Sequence, residues 1–258
     1  MSSQTYKTLN PAQKEQALLQ SAILEDDSKS ADKLKKMTIP ENVTCHVVGE
    51  NYRIHSEKEK EKIIQIKIPK QYIKAKYQKP GNVFLGVVHR LDRPVSGLVV
   101  FAKTSKALTR LNKMFRDGDV HKTYWAITKN MPAEPEAMLT NWIVRNEKQN
   151  KSYVYDKEVP DSKKAVLSYK LIGHSDHYSL LEIHLMTGRH HQIRCQLAHI
   201  GCPIKGDLKY GAPRSNPDGS ISLLSHQIEF IHPISKEYIK IKAPLPDDHL
   251  WQAIAPED

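Results

Sequence analysis

The chain has 258 residues, and 39 Lys and Arg against 29 Asp and Glu give it a net charge of +10. A hydrophobic fraction of 39% and a charged fraction of 26% exclude a disordered or fibrous chain and are typical of a globular protein. Three cysteines are too few, and odd in number, for a disulfide framework. No apolar run approaches the roughly 18 residues of a membrane span, and the polar start lacks the apolar segment of a signal peptide. We therefore predict a cytoplasmic protein.

The first 80 residues carry weak patterns. Asn10 before Pro11, followed by apolar residues at helical spacing, predicts a short amphipathic helix over residues 10–25. A polar linker follows, so we expect an N-terminal helix and linker at 1–40 and the main domain at 41–258. Between residues 57 and 79 lysine recurs around an alternating apolar run, which predicts either a strand with a basic outer face or a helix over 70–76.

Beyond residue 80 the periodicities become distinct. Apolar runs at 83–88 and 98–102 predict buried strands, and Ser105 is expected to cap a helix that ends near Asp117. A second helix carries Ile193 and Leu197 and stops at Gly201. Further strands are predicted at 121–128, 165–173, 178–185, 222–231 and 238–243. This order predicts an α+β protein with a mainly antiparallel mixed sheet and flanking helices.

One aspartate lies in a charged segment between two predicted strands, HRLDRPVSG at residues 89–97. Asp92 is flanked by Arg90 and Arg93, whose charges favour an ionised carboxylate. An ionised carboxylate held at a strand end suits a nucleophile or a general base, and a structural salt bridge is the competing interpretation.

A second cationic segment, TGRHHQIR at residues 187–194, begins the predicted helix that carries Ile193 and Leu197. Free backbone N–H groups together with Arg189 or Arg194 are able to bind a phosphate or carboxylate, although a basic exposed helix face explains the pattern as well. If Arg194 is half buried, it demands an anionic partner.

Metal, hydrolase and nucleotide sites find little support. His191, Cys195 and His199 are zinc-ligand types, but they extend along nearly three helical turns and do not easily converge on one ion, so no metal site is predicted. Ser96 before Gly97 lacks the G-x-S-x-G pattern of a hydrolase. Neither a P-loop nor a G-x-G-x-x-G motif is present, so no nucleotide cofactor is predicted.

A third segment, KTYWA at residues 122–126, places Tyr124 and Trp125 on opposite faces of a predicted strand. Ordinary core packing is the default interpretation for either ring, and stacking on a base is the functional alternative. Together with HRLDRPVSG and with TGRHHQIR, which runs into GCPIKGDLKYG at 201–211, this segment resembles the RluA family of pseudouridine synthases. The resemblance extends over residues 79–245. The segment 41–78 departs from the family pattern, because the N-K-P-type segment of the family is not found there.

The resemblance implies the pseudouridine synthase catalytic fold and an isomerase that converts specific uridines of structured ribosomal or transfer RNA to pseudouridine without a cofactor. In that family the aspartate of the HRLD motif is the catalytic carboxylate, which is Asp92 here. The family tyrosine corresponds to Tyr124, expected to stack on the uracil, with a role as acceptor of the C5 proton left open. The arginine of the HQIR motif is Arg194, expected to pair with Asp92.

The resemblance also implies that RNA is the partner, which the net positive charge suits, although charge alone is equally explained by solubility. Arg90 is expected to help displace the target nucleotide from its stack, and Arg93, Arg189 and His191 to contact RNA. We expect a monomer that does not bind a membrane. The alternative is a catalytically impaired RNA-binding protein of the same fold, in which the atypical N-terminal region, about residues 26–78, abolishes turnover.

Overall fold

The computed structural model describes residues 80–256, together with Lys74, Gln78 and the backbone of a strand at 44–48. The helix predicted at 10–25 and the linker after it lie outside the described residues, as do all but two positions of the segment 57–79. The chain divides into two units, the first comprising Met1–Arg90 and Gly97–Asp117 and the second Leu91–Ser96 and Gly118–Asp258.

The first unit contains strands β1 (Thr44–Val48), β2 (Gly86–Val87) and, from Gly97 on, β3 (Ser96–Ala102), followed by helix α1 (Ser105–Asp117). Both β1 and β2 pair with β3 in antiparallel register. The strand predicted at 83–88 is too long, because Phe84 is exposed and only two residues pair. The predicted cap is also wrong by one residue, since Thr104 Oγ1 accepts the N–H of Ala107 while Ser105 is already helical.

The second unit is built on a sheet whose order is β10–β9–β4–β8–β7–β5–β6, with every neighbouring pair antiparallel. The predicted α+β fold with a mainly antiparallel sheet and flanking helices is therefore confirmed. No helix in the described part of the chain is long and apolar enough to cross a membrane. The strands are β4 (His121–Thr128), β5 (Glu136–Asn146), β6 (Lys151–Tyr155), β7 (Lys163–His174), β8 (Ser179–Leu185), β9 (Leu223–Ile231) and β10 (Tyr238–Lys242); the helices are α2 (Gln192–His199), α3 (His249–Ile254) and a 3-10 turn at Leu208–Tyr210.

The hairpin of β5 and β6 was not predicted from the sequence, nor were α3 and the 3-10 turn. Trp142 of β5 lies opposite Tyr155 of β6, and Val144 opposite Tyr153. Aromatic and β-branched residues of this kind favour strands. The connection ends at Asn150, which adopts a left-handed φ of 47° without a glycine.

The core of the second unit lies between the sheet and α2. Leu167, Leu181 and Ile183 of the sheet pack with Ile193 and Leu197 of the helix. Full burial of each such side chain contributes about 1.5–3 kcal/mol. The contact therefore fixes α2 on the sheet and, with it, the polar side chains of its first turn.

Candidate active site

The segment that carries Asp92 is attached to this core by its apolar residues. Leu91 and Val95 pack against the same cluster as α2. The N–H of Val95 donates to the carbonyl of Asp92 at 3.0 Å, and the N–H of Ile221 donates to the carbonyl of Pro94 at 2.9 Å. The Asp92 side chain is nevertheless 32% exposed, so a backbone held in place presents an accessible carboxylate.

Arg194, in the first turn of α2, is bound mainly by Asp207. Its Nε donates to Oδ2 of Asp207 at 2.7 Å and its Nη2 to Oδ1 at 2.8 Å, a bidentate pair between side chains that are 5% and 1% exposed. The remaining Nη1 lies 3.4 Å from Oδ2 of Asp92, which is the predicted approach of Arg194 to Asp92. Burial alone would lower the pKa of Arg194, but the hydrogen bonds and charge of Asp207 more than reverse this effect and raise the pKa.

His191 forms the N-cap of α2 with a left-handed φ of 54°, and its side chain is 5% exposed. Its Nε2 lies 3.6 Å from Oδ2 of Asp92, and its Nδ1 lies 2.9 Å from the hydroxyl of Tyr210. Burial, reinforced by the charge of Arg194, lowers the pKa of His191 to about 3, so the ring is neutral at physiological pH. Its contact with RNA stays a prediction, which this small exposed surface does not favour.

Tyr124 projects from the middle of β4 into the core cluster that also contains Val95. Burial raises the pKa of Tyr124 to about 12, and the negative charge of Asp92 adds to the shift. The phenol is therefore neutral at physiological pH and lies within electrostatic range of the Asp92 carboxylate.

The remaining predicted contacts with RNA are surface residues. Arg93 and Arg189 are exposed in the second unit, and Arg189 donates from Nε to the carbonyl of Lys164 at 2.9 Å. Arg90 is exposed in the first unit. Within the second unit, the structure thus gathers Asp92 and Arg194 with His191 and leaves the other two arginines at the surface.

Two residues of this site, Asp207 and Tyr210, were not predicted. Asp207 follows Gly206, whose φ is +90° and where a Cβ would lie 2.7 Å from the carbonyl oxygen of Ser220. Tyr210 lies in the 3-10 turn, with its ring 5.1 Å from the Arg194 guanidinium carbon. The sequence does contain a signal for Asp207: a half-buried Arg194 demands an anionic partner, and the GCPIKGDLKYG segment supplies an aspartate.

The three possible zinc ligands, His191 at the N-cap of α2 and Cys195 and His199 within the helix, face different surroundings. Cys195 is buried, and burial raises the pKa of its thiol to about 12. His199 Nε2 lies 2.8 Å from Asp156 Oδ1 at the surface. Among the described residues, no group of three or more His, Cys, Asp or Glu side chains is placed to hold a metal ion.

Curated proteins similar to this chain are RNA pseudouridine synthases. The uncharacterized RNA pseudouridine synthase YlyB of Bacillus subtilis is 32% identical over 163 residues, which cover 63% of this chain and 53% of that protein. The ribosomal large subunit pseudouridine synthase D of Xanthomonas campestris is 34% identical over 176 residues, covering 63% and 52%. The chain thus spans about half the length of the curated relatives it matches.

A solved structure named Human RNA Pseudouridylate Synthase Domain Containing 4 is similar in fold, with a TM-score of 0.72 and 20% identity over 93% of this chain and 99% of that one. The predicted pseudouridine synthase fold is therefore confirmed. A family model described as RNA pseudouridylate synthase matches residues 40–199, more than half of the chain. Asp92, Tyr124 and Arg194 lie within this match, and Asp207 lies beyond it. The chain therefore belongs to the RNA pseudouridylate synthase family, as the resemblance of its three motifs to the RluA family predicts.

Proposed function

We propose that this protein isomerises uridines in structured ribosomal or transfer RNA to pseudouridine, with Asp92 as the catalytic carboxylate. One observation carries the proposal: in a chain of this family, the HRLD aspartate is both accessible and held in place, with its Oδ2 3.4 Å from a buried guanidinium. A group that acts on a ribose must be open to the substrate and fixed in position. Asp92 meets both requirements.

The proposed reaction needs no external reactant. The bond between uracil N1 and ribose C1′ breaks, the base turns within the site, and C1′ forms a bond to C5. C5 gives up its proton and N1 takes one, so the product is an isomer of the substrate. Positive charge develops at C1′ as the first bond breaks, and a carboxylate is the ordinary partner of such an oxocarbenium-like centre. Asp92 serves either by adding to the sugar or by removing a sugar proton.

We assign Tyr124 to stacking on the uracil, because its neutral aromatic ring lies within electrostatic range of the Asp92 carboxylate. The RNA backbone is assigned to exposed cations, namely Arg93 and Arg189 of the second unit, while Arg90 of the first unit helps to displace the target nucleotide. A net charge of +10 supports a polyanionic substrate. A monomer in the cytoplasm, where ribosomal and transfer RNA reside, completes the proposal.

We also propose residues 41–258 as the catalytic domain, with 1–40 as an appended helix and linker. The family match supports this boundary because it begins at residue 40. It also includes residues 41–78, where the family's N-K-P-type segment is not found.

The test is tritium release from RNA transcribed with 5-tritiated uridine, since C5 loses its hydrogen when it becomes the glycosidic carbon. We expect release by the wild-type chain and none by Asp92→Ala. RNA affinity should stay within a few-fold, because phosphate contacts dominate binding. Asp176→Ala is the matched control, since Asp176 is exposed in the turn between β7 and β8.

Two outcomes would overturn the proposal. Salt-sensitive RNA binding without tritium release by the wild-type chain would favour the catalytically impaired RNA-binding protein. Loss of RNA affinity by hundreds of times in Asp92→Ala would give Asp92 a structural role rather than a chemical one.

A further inference from the structure

A series of polar contacts leads from the β5–β6 hairpin to the carboxylate of Asp92. The N–H of Ser152 donates to the Tyr210 hydroxyl oxygen at 2.8 Å. The same hydroxyl lies 2.9 Å from Nδ1 of His191, and Nε2 of His191 lies 3.6 Å from Oδ2 of Asp92. Tyr210 and His191 are buried, so the contact between them is sheltered from water.

The hydrogen bond with the Tyr210 hydroxyl bears on which ring nitrogen of His191 carries the proton. A tyrosine hydroxyl has one hydrogen to donate, and here its oxygen already accepts from Ser152. In the part of the chain that the structure describes, the other hydrogen-bond partner of this hydroxyl is Nδ1 of His191. If Tyr210 donates to Nδ1, the neutral ring carries its proton on Nε2, the nitrogen that faces Asp92.

The two oxygens of Asp92 have different surroundings. Nη1 of Arg194 and Nε2 of His191 both approach Oδ2, at 3.4 and 3.6 Å. Among the described residues, no donor contacts Oδ1. Both distances are longer than an ordinary hydrogen bond, as is common in catalytic sites before substrate binds and tightens them.

We propose that His191 is a positioning residue that donates from Nε2 to Oδ2 of Asp92, with its tautomer set by Tyr210. Together with Arg194, it holds Oδ2 and presents Oδ1 to the ribose. Stacking on His190, with ring centroids 3.8 Å apart, fixes the plane of the imidazole. A neutral donor orients the carboxylate without placing a second positive charge beside Arg194. The inference rests on the proposed function only in that Asp92 is the catalytic carboxylate.

The tautomer is tested without RNA, by NMR of the full chain labelled with 15N in histidine. At pH 7 we expect His191 to show a protonated Nε2 and an unprotonated Nδ1, with its signals identified by their loss in His191→Asn. Tyr210→Phe should increase the fraction protonated at Nδ1. A wild-type proton on Nδ1, or a doubly protonated ring, would overturn the proposal. Because this readout needs no turnover, it stands apart from any failure of the isomerase activity.

The positioning role is tested by separating kcat from KM. A donor to a charged group is worth enough that His191→Leu should lower kcat by about tenfold to a hundredfold. KM should change by less than about threefold, since the RNA contacts remain. His191→Gln, whose amide donates near the position of Nε2, should recover part of kcat. His199→Gln, at the exposed end of the same helix, is the matched control.

An unchanged kcat in His191→Leu, or a glutamine variant no better than leucine at equal melting temperature, would contradict the positioning role. A leucine variant that fails to fold leaves the tautomer measurement on the wild-type chain as the deciding result.

Discussion

Replacing Asp207 with alanine should destabilise the second unit strongly. The Asp207 and Arg194 side chains are 1% and 5% exposed and share two hydrogen bonds of 2.7 and 2.8 Å. Asp207→Ala leaves the buried guanidinium with Asp92, at 3.4 Å, as its remaining carboxylate partner. Removing one partner of a buried ion pair costs about 3–5 kcal/mol. For a unit of this size, the melting temperature should fall by on the order of 10 °C.

Urea unfolding followed by tryptophan fluorescence measures this loss, because all three tryptophans, at positions 125, 142 and 251, belong to the second unit. The control is Lys240→Ala, which breaks a 3.2 Å ion pair with Glu229. The Lys240 side chain is 48% exposed and that of Glu229 is 20% exposed. That change should cost less than about 1 kcal/mol. An Asp207→Ala variant no less stable than the control would refute the reasoning.

The double variant Arg194→Met with Asp207→Leu separates stability from chemistry. Apolar side chains of similar volume often replace a buried ion pair with little loss of stability. Relative to Asp207→Ala, we therefore expect most of the lost free energy of unfolding to return, while tritium release is abolished because the donor to Asp92 is gone. A stable double variant with full activity would remove Arg194 from the site.

Three further perturbations follow from the structure. The pKa of His191 falls from 6.5 to about 3 on folding, so the unfolded chain binds more protons between these values and the free energy of unfolding rises with pH across that window. At pH 5 this residue should lower the free energy of unfolding by about 2 kcal/mol relative to pH 7. Urea titrations at the two pH values should show a smaller loss in His191→Asn. Gly206→Ala should lower the free energy of unfolding by about 2–4 kcal/mol, because the added Cβ would lie 2.7 Å from a carbonyl oxygen at a φ of +90°. Gly211→Ala, where φ is +101° but the space around the added Cβ is open, should lower it by only about 1–2 kcal/mol. Equal losses in thermal unfolding would contradict the steric argument. Tyr124→Ala should weaken RNA binding, measured by fluorescence anisotropy, by about tenfold to a hundredfold. Tyr124→Phe keeps the stacking face and should bind RNA like the wild-type chain. A phenylalanine variant that binds as weakly as the alanine variant would exclude stacking as the main contribution of Tyr124 to RNA binding.

Local patterns predict the elements of this fold where they are regular. The strand predicted at 121–128 coincides with β4, and the helix predicted to stop at Gly201 ends at His199. At Gly201 the backbone has a φ of +78°, which glycine adopts without strain and which ends the helical pattern. The β5–β6 hairpin was missed because its connection contains no glycine or proline.

The site was only partly predictable, because its side-chain pairs come from different elements. The motifs identify Asp92 and Arg194, but the closer partner of Arg194 is Asp207, in an irregular segment after α2. Periodicity describes which face of one element is buried and does not show which charged groups of other elements meet there. His191 shows the same limit, since the family resemblance implies contact with RNA, whereas its burial and its Tyr210 contact depend on the tertiary structure.

The proposal that Asp92 carries out uridine isomerisation is tested most directly by chromatography of nucleosides from RNA incubated with the wild-type chain or with Asp92→Asn. Asparagine has nearly the shape of aspartate, so the pocket is retained while the carboxylate is lost. We predict that pseudouridine forms with the wild-type chain and not with Asp92→Asn, although both bind the RNA within a few-fold of each other. Pseudouridine formed by Asp92→Asn at the wild-type rate would contradict the proposal.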